Sequence, residues 1–189
     1  MKLTISGTPG SGKSSVAYKL CKQLDLTYYD LGKIRRKLAS EKKITLEELN
    51  KLGEKEKWTD KEPDKFMEKI GKKENNFIFV GRLAYYFIPD SIKIYLKCDI
   101  KTGAKRIFND NISRSVEKYN SIEEYIIKLK ERTNNDIKRF EKYYNINPYD
   151  ETKYDLVIDT TNLSIYEVIN QILIFIIKKF CKINEKNKN

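Results

Sequence analysis

The run Gly7-Thr8-Pro9-Gly10-Ser11-Gly12-Lys13-Ser14, followed by Ser15, satisfies the pattern glycine, any four residues, glycine, lysine, then serine or threonine. The chemistry this spacing suits is polyphosphate binding. Glycines at 7, 10 and 12 let the backbone curl until successive N–H groups point inwards at an anion. A helix from Ser14 onwards would turn its positive end and its unpaired N–H groups on the same anion. Lys13 would reach the β- and γ-phosphates of a nucleoside triphosphate, and the Ser14 hydroxyl would ligate Mg²⁺. A glycine-rich turn matches this pattern by chance in under roughly one chain in a hundred of this length, so phosphate binding is carried forward.

Other polar residues follow short apolar runs. Asp30 comes after Leu26-Thr27-Tyr28-Tyr29, and Arg82 after Phe77-Ile78-Phe79-Val80-Gly81. Asp30 suits either a water of the Mg²⁺ shell or the cap of the next helix, and its type alone leaves both open. An arginine directly after a buried strand is costly unless an anion meets it. Arg35 and Arg36 lie on a short helical segment, where a single arginine ordinarily belongs to a solvated basic face. Arg132, Asp136 and Arg139 are spaced i, i+4 and i+7 and share one helical face. An exposed face laced with ion pairs, each contributing only ~0.3–0.5 kcal/mol, explains that spacing equally well.

These residues need a scaffold to gather them. Lys2–Ser6 reads as a strand running into the glycine loop, and Val16, Leu20 and Leu24 recur at helical spacing as far as Asp25. Ile34 and Leu38 mark a short helix, and Thr45-Leu46-Glu47-Glu48 is a capping box. Pro63 reads as the first turn of another helix, burying Phe66, Met67 and Ile70. Phe77–Val80 is apolar throughout, as in a strand covered on both faces. Ile92, Ile94 and Leu96 alternate as a strand, with a helix from about 99 to 109. Residues 109–120 are polar and aperiodic and read as a mobile loop. Ser121 and Ser164 each cap a helix, the first running through Arg132 and Arg139 towards Tyr144, and Leu156–Ile158 is the last strand. Residues 182–189 lack an apolar pattern and read as frayed. Alternating strand and helix indicate an α/β class with a parallel sheet, whose ligands bind beyond the carboxyl ends of the strands.

Composition narrows the chemistry. A chain of 189 residues suits one domain. With no histidine, histidine triads, histidine general bases and histidine metal sites are all excluded. Cys21, Cys98 and Cys181 are odd in number and far apart, suggesting neither a disulfide framework nor a zinc cluster, and free thiols point to a reducing cytoplasm. The net charge of +11 invites a nucleic-acid partner, but the lysines are scattered among glutamates, and no nucleic acid is expected. No signal peptide is read before the loop, and Ile172–Ile177 is too short to cross a bilayer. The expectation is a soluble cytoplasmic monomer acting on small nucleotides, with no membrane partner.

The sequence then resembles a known family. The stretches Thr4–Lys13, Gly32-x-Ile34-x-Arg36-x-Leu38-Ala39, Gly81-Arg82-Leu83-Ala84, Glu131-Arg132-x3-Asp136-x2-Arg139 and Asp155–Thr160 are similar to those of archaeal-type cytidylate kinases, from residue 2 to about 177. The resemblance implies a P-loop kinase fold: a five-stranded parallel sheet flanked by helices, with a mobile lid at about 106–139. It implies one domain over 1–180 and a flexible tail over 181–189. The implied reaction is transfer of the γ-phosphate of ATP to CMP or dCMP, giving ADP and CDP or dCDP, with Mg²⁺. On this resemblance Gly7 to Ser15 hold ATP, and Ser14 and Asp30 serve the metal. Arg36 and Arg82 grip the acceptor phosphate, Arg132 and Asp136 serve the acceptor, and Lys13, Arg132 and Arg139 are catalytic. The chain departs from the family in three places. Lys97 follows Leu96 where an aspartate is usual, and Lys65 replaces an arginine in the segment assigned to the base. Residues 106–131 form a longer segment without an arginine at Asn109–Asp110, leaving Arg114 as the substitute. Two alternatives remain: a P-loop kinase for UMP, AMP or a small metabolite, and a nucleotide-dependent nucleic-acid-binding module. A kinase requires the arginines to converge on one cleft beside the loop.

Overall fold

A computed structural model describes the backbone of residues 1–114 and 121–186, and the side chains of 1–110 and 121–181. Strands β1 (Lys2–Gly7), β2 (Thr27–Asp30), β3 (Phe77–Val80), β4 (Ile92–Lys97) and β5 (Leu156–Asp159) form one five-stranded sheet in the order β2-β3-β1-β4-β5. Every pairing is parallel, so all five strands end on the same edge. The chain passes from β1 out to β2, returns to β3 and then crosses β1 to reach β4. Connections thus diverge on either side of β1, and its carboxyl end is the switch point where parallel sheets open a crevice.

The helices are α1 (Lys13–Leu24), α2 (Leu31–Glu41), α3 (Leu46–Lys55), α4 (Trp58–Lys73), α5 (Ala84–Phe87), α6 (Ile100–Arg114), α7 (Ile122–Tyr144) and α8 (Ile165–Lys186). On one face of the sheet Ile5, Ile78 and Ile94 pack with Val16 and Leu20 of α1 and Ile169 and Ile172 of α8. On the other, Phe77 and Phe79 meet Met67 and Ile70 of α4 and Ile88. The apolar run of β3 is thus buried from both sides, and Phe79→Ala would cost about 3–5 kcal/mol.

Helix starts follow their sequence signals. The Glu48 N–H donates to the Thr45 hydroxyl at 3.1 Å, and the Thr45 N–H donates back to the Glu48 carboxylate at 2.7 Å. Ser121 and Ser164 accept from the N–H groups of Glu124 and Glu167.

Three elements differ from expectation. Pro63 lies inside α4 rather than in its first turn. Its missing N–H leaves the Thr59 carbonyl without a helical donor, and Arg35 Nη1 on α2 donates to that carbonyl at 3.1 Å instead. This tertiary partner lets the helix run through a proline. Helix α6 continues to Arg114, covering the first part of the expected loop; residues 115–120 and the Arg114 side chain lie outside the described residues. Helix α8 continues to Lys186, so most of the expected tail is helical, and 187–189 lie outside the described residues.

Candidate active site

At the end of β1 the backbone turns at Gly7 (φ 143°), where a Cβ would lie 1.9 Å from the Leu96 carbonyl oxygen. The loop is held from both flanks. The Thr8 N–H donates to the Leu96 carbonyl at 3.1 Å, and the Cys98 N–H donates to the Thr8 hydroxyl at 2.9 Å. Across the loop, the Thr160 hydroxyl lies 3.2 Å from the Ser11 carbonyl, and Arg106 Nη2 donates to the Thr160 carbonyl at 2.8 Å. Beneath it, Gly10 and Gly103 of α6 pack backbone to backbone, and a Cβ on Gly103 would stand 2.6 Å from the Pro9 carbonyl oxygen. Helix α1 starts at Lys13 with no side chain capping its first turn. Its first N–H groups are therefore available to an anion.

Asp30 caps the helix that follows it and also reaches the loop. Its Oδ1 accepts from the Lys33 N–H at 3.2 Å and caps α2, while its Oδ2 accepts from the Ser14 hydroxyl at 2.9 Å and the Tyr28 phenol at 2.7 Å. A hydroxyl beside a carboxylate fits Mg²⁺, which takes few protein ligands and completes its shell with water and phosphate oxygens. Among the described residues no group of three or more side chains forms a dedicated metal cage.

The Lys13 ammonium folds back on the Thr8 carbonyl and the Ser11 hydroxyl. Burial pushes its pKa down, and the Arg82 and Arg132 guanidiniums push it further, to about 7. Three cationic side chains thus crowd one point beside the loop.

Arg82 leaves the sheet just after Gly81, whose carbonyl accepts from the Ser6 hydroxyl at 2.6 Å, so the end of β3 is pinned to β1. Arg82 Nε lies 2.8 Å from Asp136 Oδ2 and donates to the Tyr149 phenol at 3.3 Å. Burial opposes its charge, but Asp136 and Tyr149 outweigh burial and hold its pKa above the ordinary arginine value. Tyr149 in turn donates to Asp136 Oδ2 at 3.2 Å. Asp136 Oδ1 pairs with Arg139 Nη2 at 3.2 Å, and Arg139 Nε is 3.6 Å from Asp60 Oδ2. Asp60 Oδ1 pairs with Arg35 Nη1 at 2.6 Å. The result is a chain Arg35–Asp60–Arg139–Asp136–Arg82 linking α2, α4 and α7 to the end of β3. Arg132, one turn before Asp136, stands outside it. Among the described residues its Nε has no hydrogen-bond partner, and burial together with Arg82 lowers its pKa.

The structure therefore gathers Lys13, Arg82, Arg132 and Asp136 beside the loop. Arg139 lies farther along α7, only 4% exposed and packed over the Phe140 ring, so this helical face is buried rather than solvated. Arg36 is on the exposed side of α2, its guanidinium folded back over Gly32. Lys97 pairs with Glu151 at 3.0 Å, and Lys65 is exposed on α4. Sequence reasoning gave no role to Asp60, Tyr149, Arg106, Thr160 or Gly103, although Thr160 closes a stretch that carries the family resemblance. Only Gly103 carried a local signal, as a glycine inside a helical stretch. The rest are recognisable only from their partners.

A phosphate loop at the switch point of this sheet, with arginines gathered opposite it, is the arrangement of the P-loop kinase fold. Residues 2–162 match the cytidylate kinase-like family, and the chain belongs to that family. It is 38% identical over 183 residues to a cytidylate kinase of Sulfolobus acidocaldarius, covering 95% of this chain and 96% of that one. Against a cytidylate kinase of Methanocella arvoryzae it is 34% identical, covering 85% and 88%. Among solved structures, an uncharacterized protein from Eubacterium ventriosum superposes with a TM-score of 0.67 at 19% identity, covering 93% of this chain and 98% of that one. Shikimate kinase from Bacteroides thetaiotaomicron gives 0.58 at 12% identity, covering 91% and 95%. At such identities these structures speak for the fold alone.

Proposed function

We propose that this protein transfers the γ-phosphoryl group of ATP to CMP or dCMP. The observation that carries the proposal is the convergence of Lys13, Arg82 and Arg132 at the switch point, where Asp30, Asp136 and the phenol of Tyr149 offset them in part. That surplus of positive charge suits the phosphates of a donor and an acceptor held end to end. Family membership and relatives named cytidylate kinase support the choice of acceptor.

In this reading the amides of the loop and Lys13 hold the β- and γ-phosphates. Ser14 and Asp30 hold Mg²⁺, which would neutralise phosphate charge. Arg82 and Arg36 orient the acceptor phosphate so that one of its oxygens attacks the γ-phosphorus in line, while the bond to the β-bridging oxygen breaks and ADP leaves. Arg132, whose Nε has no partner among the described residues, meets the migrating group, Arg139 acts with it, and Asp136 meets the acceptor's ribose. The chemistry rests on positioning and charge neutralisation, so a chain without histidine can perform it. Residues 106–139 are proposed to close as a lid. The protein is proposed to act as a cytoplasmic monomer; Cys21 and Cys98 are buried free thiols, and no helix among the described residues is long and apolar enough to cross a membrane.

A coupled ADP-release assay across CMP, dCMP, UMP, AMP and GMP tests the proposal. CMP or dCMP should give the highest kcat/KM. Preferential turnover of AMP, or no turnover of any monophosphate by a protein that binds ATP, would overturn it.

A further inference from the structure

Between α3 and α7 lies a cavity of about 120 Å³ whose lining includes Glu47, Asn50, Glu54, Arg132, Asn135 and Asp136. Small-molecule pockets ordinarily run to ~300–1,000 Å³, so this one has room for a single flat ring rather than a whole nucleotide. Arg132 and Asp136 also belong to the charged cluster beside the loop, so a ring seated here would trail its phosphate towards Arg82 and Lys13.

Asn50 is aimed into this cavity by contacts that begin outside it. The Thr59 carbonyl left open by Pro63 and the Asp60 carboxylate both take Arg35 Nη1, at 3.1 and 2.6 Å. The guanidinium, 6% exposed, is thereby fixed, and its Nη2 donates to Asn50 Oδ1 at 3.1 Å. A guanidinium can only donate, so the carboxamide oxygen must face Arg35. The Asn50 amide N–H groups then face the other way, towards the cavity, and among the described residues none accepts from them.

We infer that Asn50 reads the acceptor's base, donating to the C2 carbonyl oxygen of a pyrimidine, with Arg35 as its positioning residue. This rests on the proposed function and adds the residue that holds the base. The C2 carbonyl is common to cytosine and uracil. A purine carries its N3 acceptor at the corresponding place beside the glycosidic bond, so it is the cavity, with room for a single flat ring, that keeps purines out. A site with a fixed donor favours the ring that supplies an acceptor and rejects one that leaves the donor unmet. Asn50 thus holds in place the pyrimidine ring that the cavity admits. Lys65, where the family resemblance put a base contact, is exposed on α4 and does not line the cavity.

The test is Asn50→Asp, which keeps an acceptor for Arg35 but turns an oxygen towards the ring. Three quantities are compared with the parent: kcat/KM for CMP and UMP, KM for ATP, and the inhibition constant of ribose 5-phosphate, an acceptor fragment without a base. The expected result is a loss of about tenfold or more for both pyrimidine nucleotides, with ATP and ribose 5-phosphate unchanged. If Asn50→Asp melts early, Asn50→Ala carries the same comparison, since Arg35 keeps two other acceptors. Equal weakening of CMP and ribose 5-phosphate would overturn the inference, as would full CMP turnover in a stable variant. A parent enzyme without CMP turnover would sink the proposed function and this inference together. An active parent with an unimpaired variant would sink only the inference.

Discussion

Arg82 and Asp136 meet at 2.8 Å, although one lies just beyond the end of β3 and the other sits in the middle of a long helix. Asp136 is also the partner of Arg139 and of Tyr149, so one carboxylate joins the sheet to the helix that covers the site. Removing it leaves two guanidiniums facing one another. Asp136→Ala should therefore destabilise the fold by about 3–5 kcal/mol besides raising KM for the acceptor. Arg139→Ala should lower kcat but cost less stability, because one-to-one pairs Arg35–Asp60 and Arg82–Asp136 remain. Thermal denaturation of both variants checks the order. A higher melting temperature for Asp136→Ala than for Arg139→Ala would contradict it.

Arg82 is expected to hold the phosphate that every nucleoside monophosphate carries. Arg82→Ala should weaken CMP, UMP and AMP together and preserve their ranking. Arg82→Lys should not restore activity, because a point charge cannot reproduce a guanidinium held through Nε by Asp136 and Tyr149. A change of preferred base in either variant would assign Arg82 to the base instead.

Lys13 makes the ligand-free protein sensitive to pH. Its ordinary pKa is 10.5, and burial beside Arg82 and Arg132 brings it to about 7. Between these values the unfolded chain binds the proton and the folded one does not. Stability should therefore rise with pH across that window, and the full penalty applies below about 7. A bound polyphosphate restores the charge, so ATP binding at pH 8 should take up close to one proton. Calorimetry in two buffers of different ionisation enthalpy measures this uptake. Lys13→Ala should abolish the uptake and the turnover while leaving the protein folded.

Gly103→Ala should harm the donor side specifically. The added Cβ would stand 2.6 Å from the Pro9 carbonyl oxygen, and backbone on both sides leaves nothing flexible to yield. Overpacking of this kind costs ~1–3 kcal/mol. KM for ATP should rise about tenfold or more, with KM for CMP little changed. An unaltered KM for ATP would mean that α6 moves away from the loop freely.

The loop, the α/β class and most helix starts were legible in the sequence because each depends on neighbours in the chain. Gly7 to Ser14 carry their geometry in their own types, and Thr45 with Glu48 makes a cap unaided. Pro63 was misplaced because its tolerance inside a helix depends on Arg35, which lies elsewhere in the sequence. Asp60 and Tyr149 gave no signal for the same reason: an aspartate or a tyrosine becomes part of a site only through distant partners. The spacing of Arg132, Asp136 and Arg139 was visible, but not that their face is buried.

The chain from Arg35 to Arg82 has one further consequence, for ionic strength. Arg35, Asp60, Asp136 and Arg139 are each no more than 6% exposed, out of reach of the mobile ions that screen surface charge over ~8 Å at physiological salt. The scattered surface charge that makes up much of the net +11 has no such protection. Added salt should thus slow the arrival of anionic nucleotides, which long-range attraction accelerates, far more than it loosens the framework that receives them. Encounter and architecture are governed by separate sets of charges, and salt acts on the first.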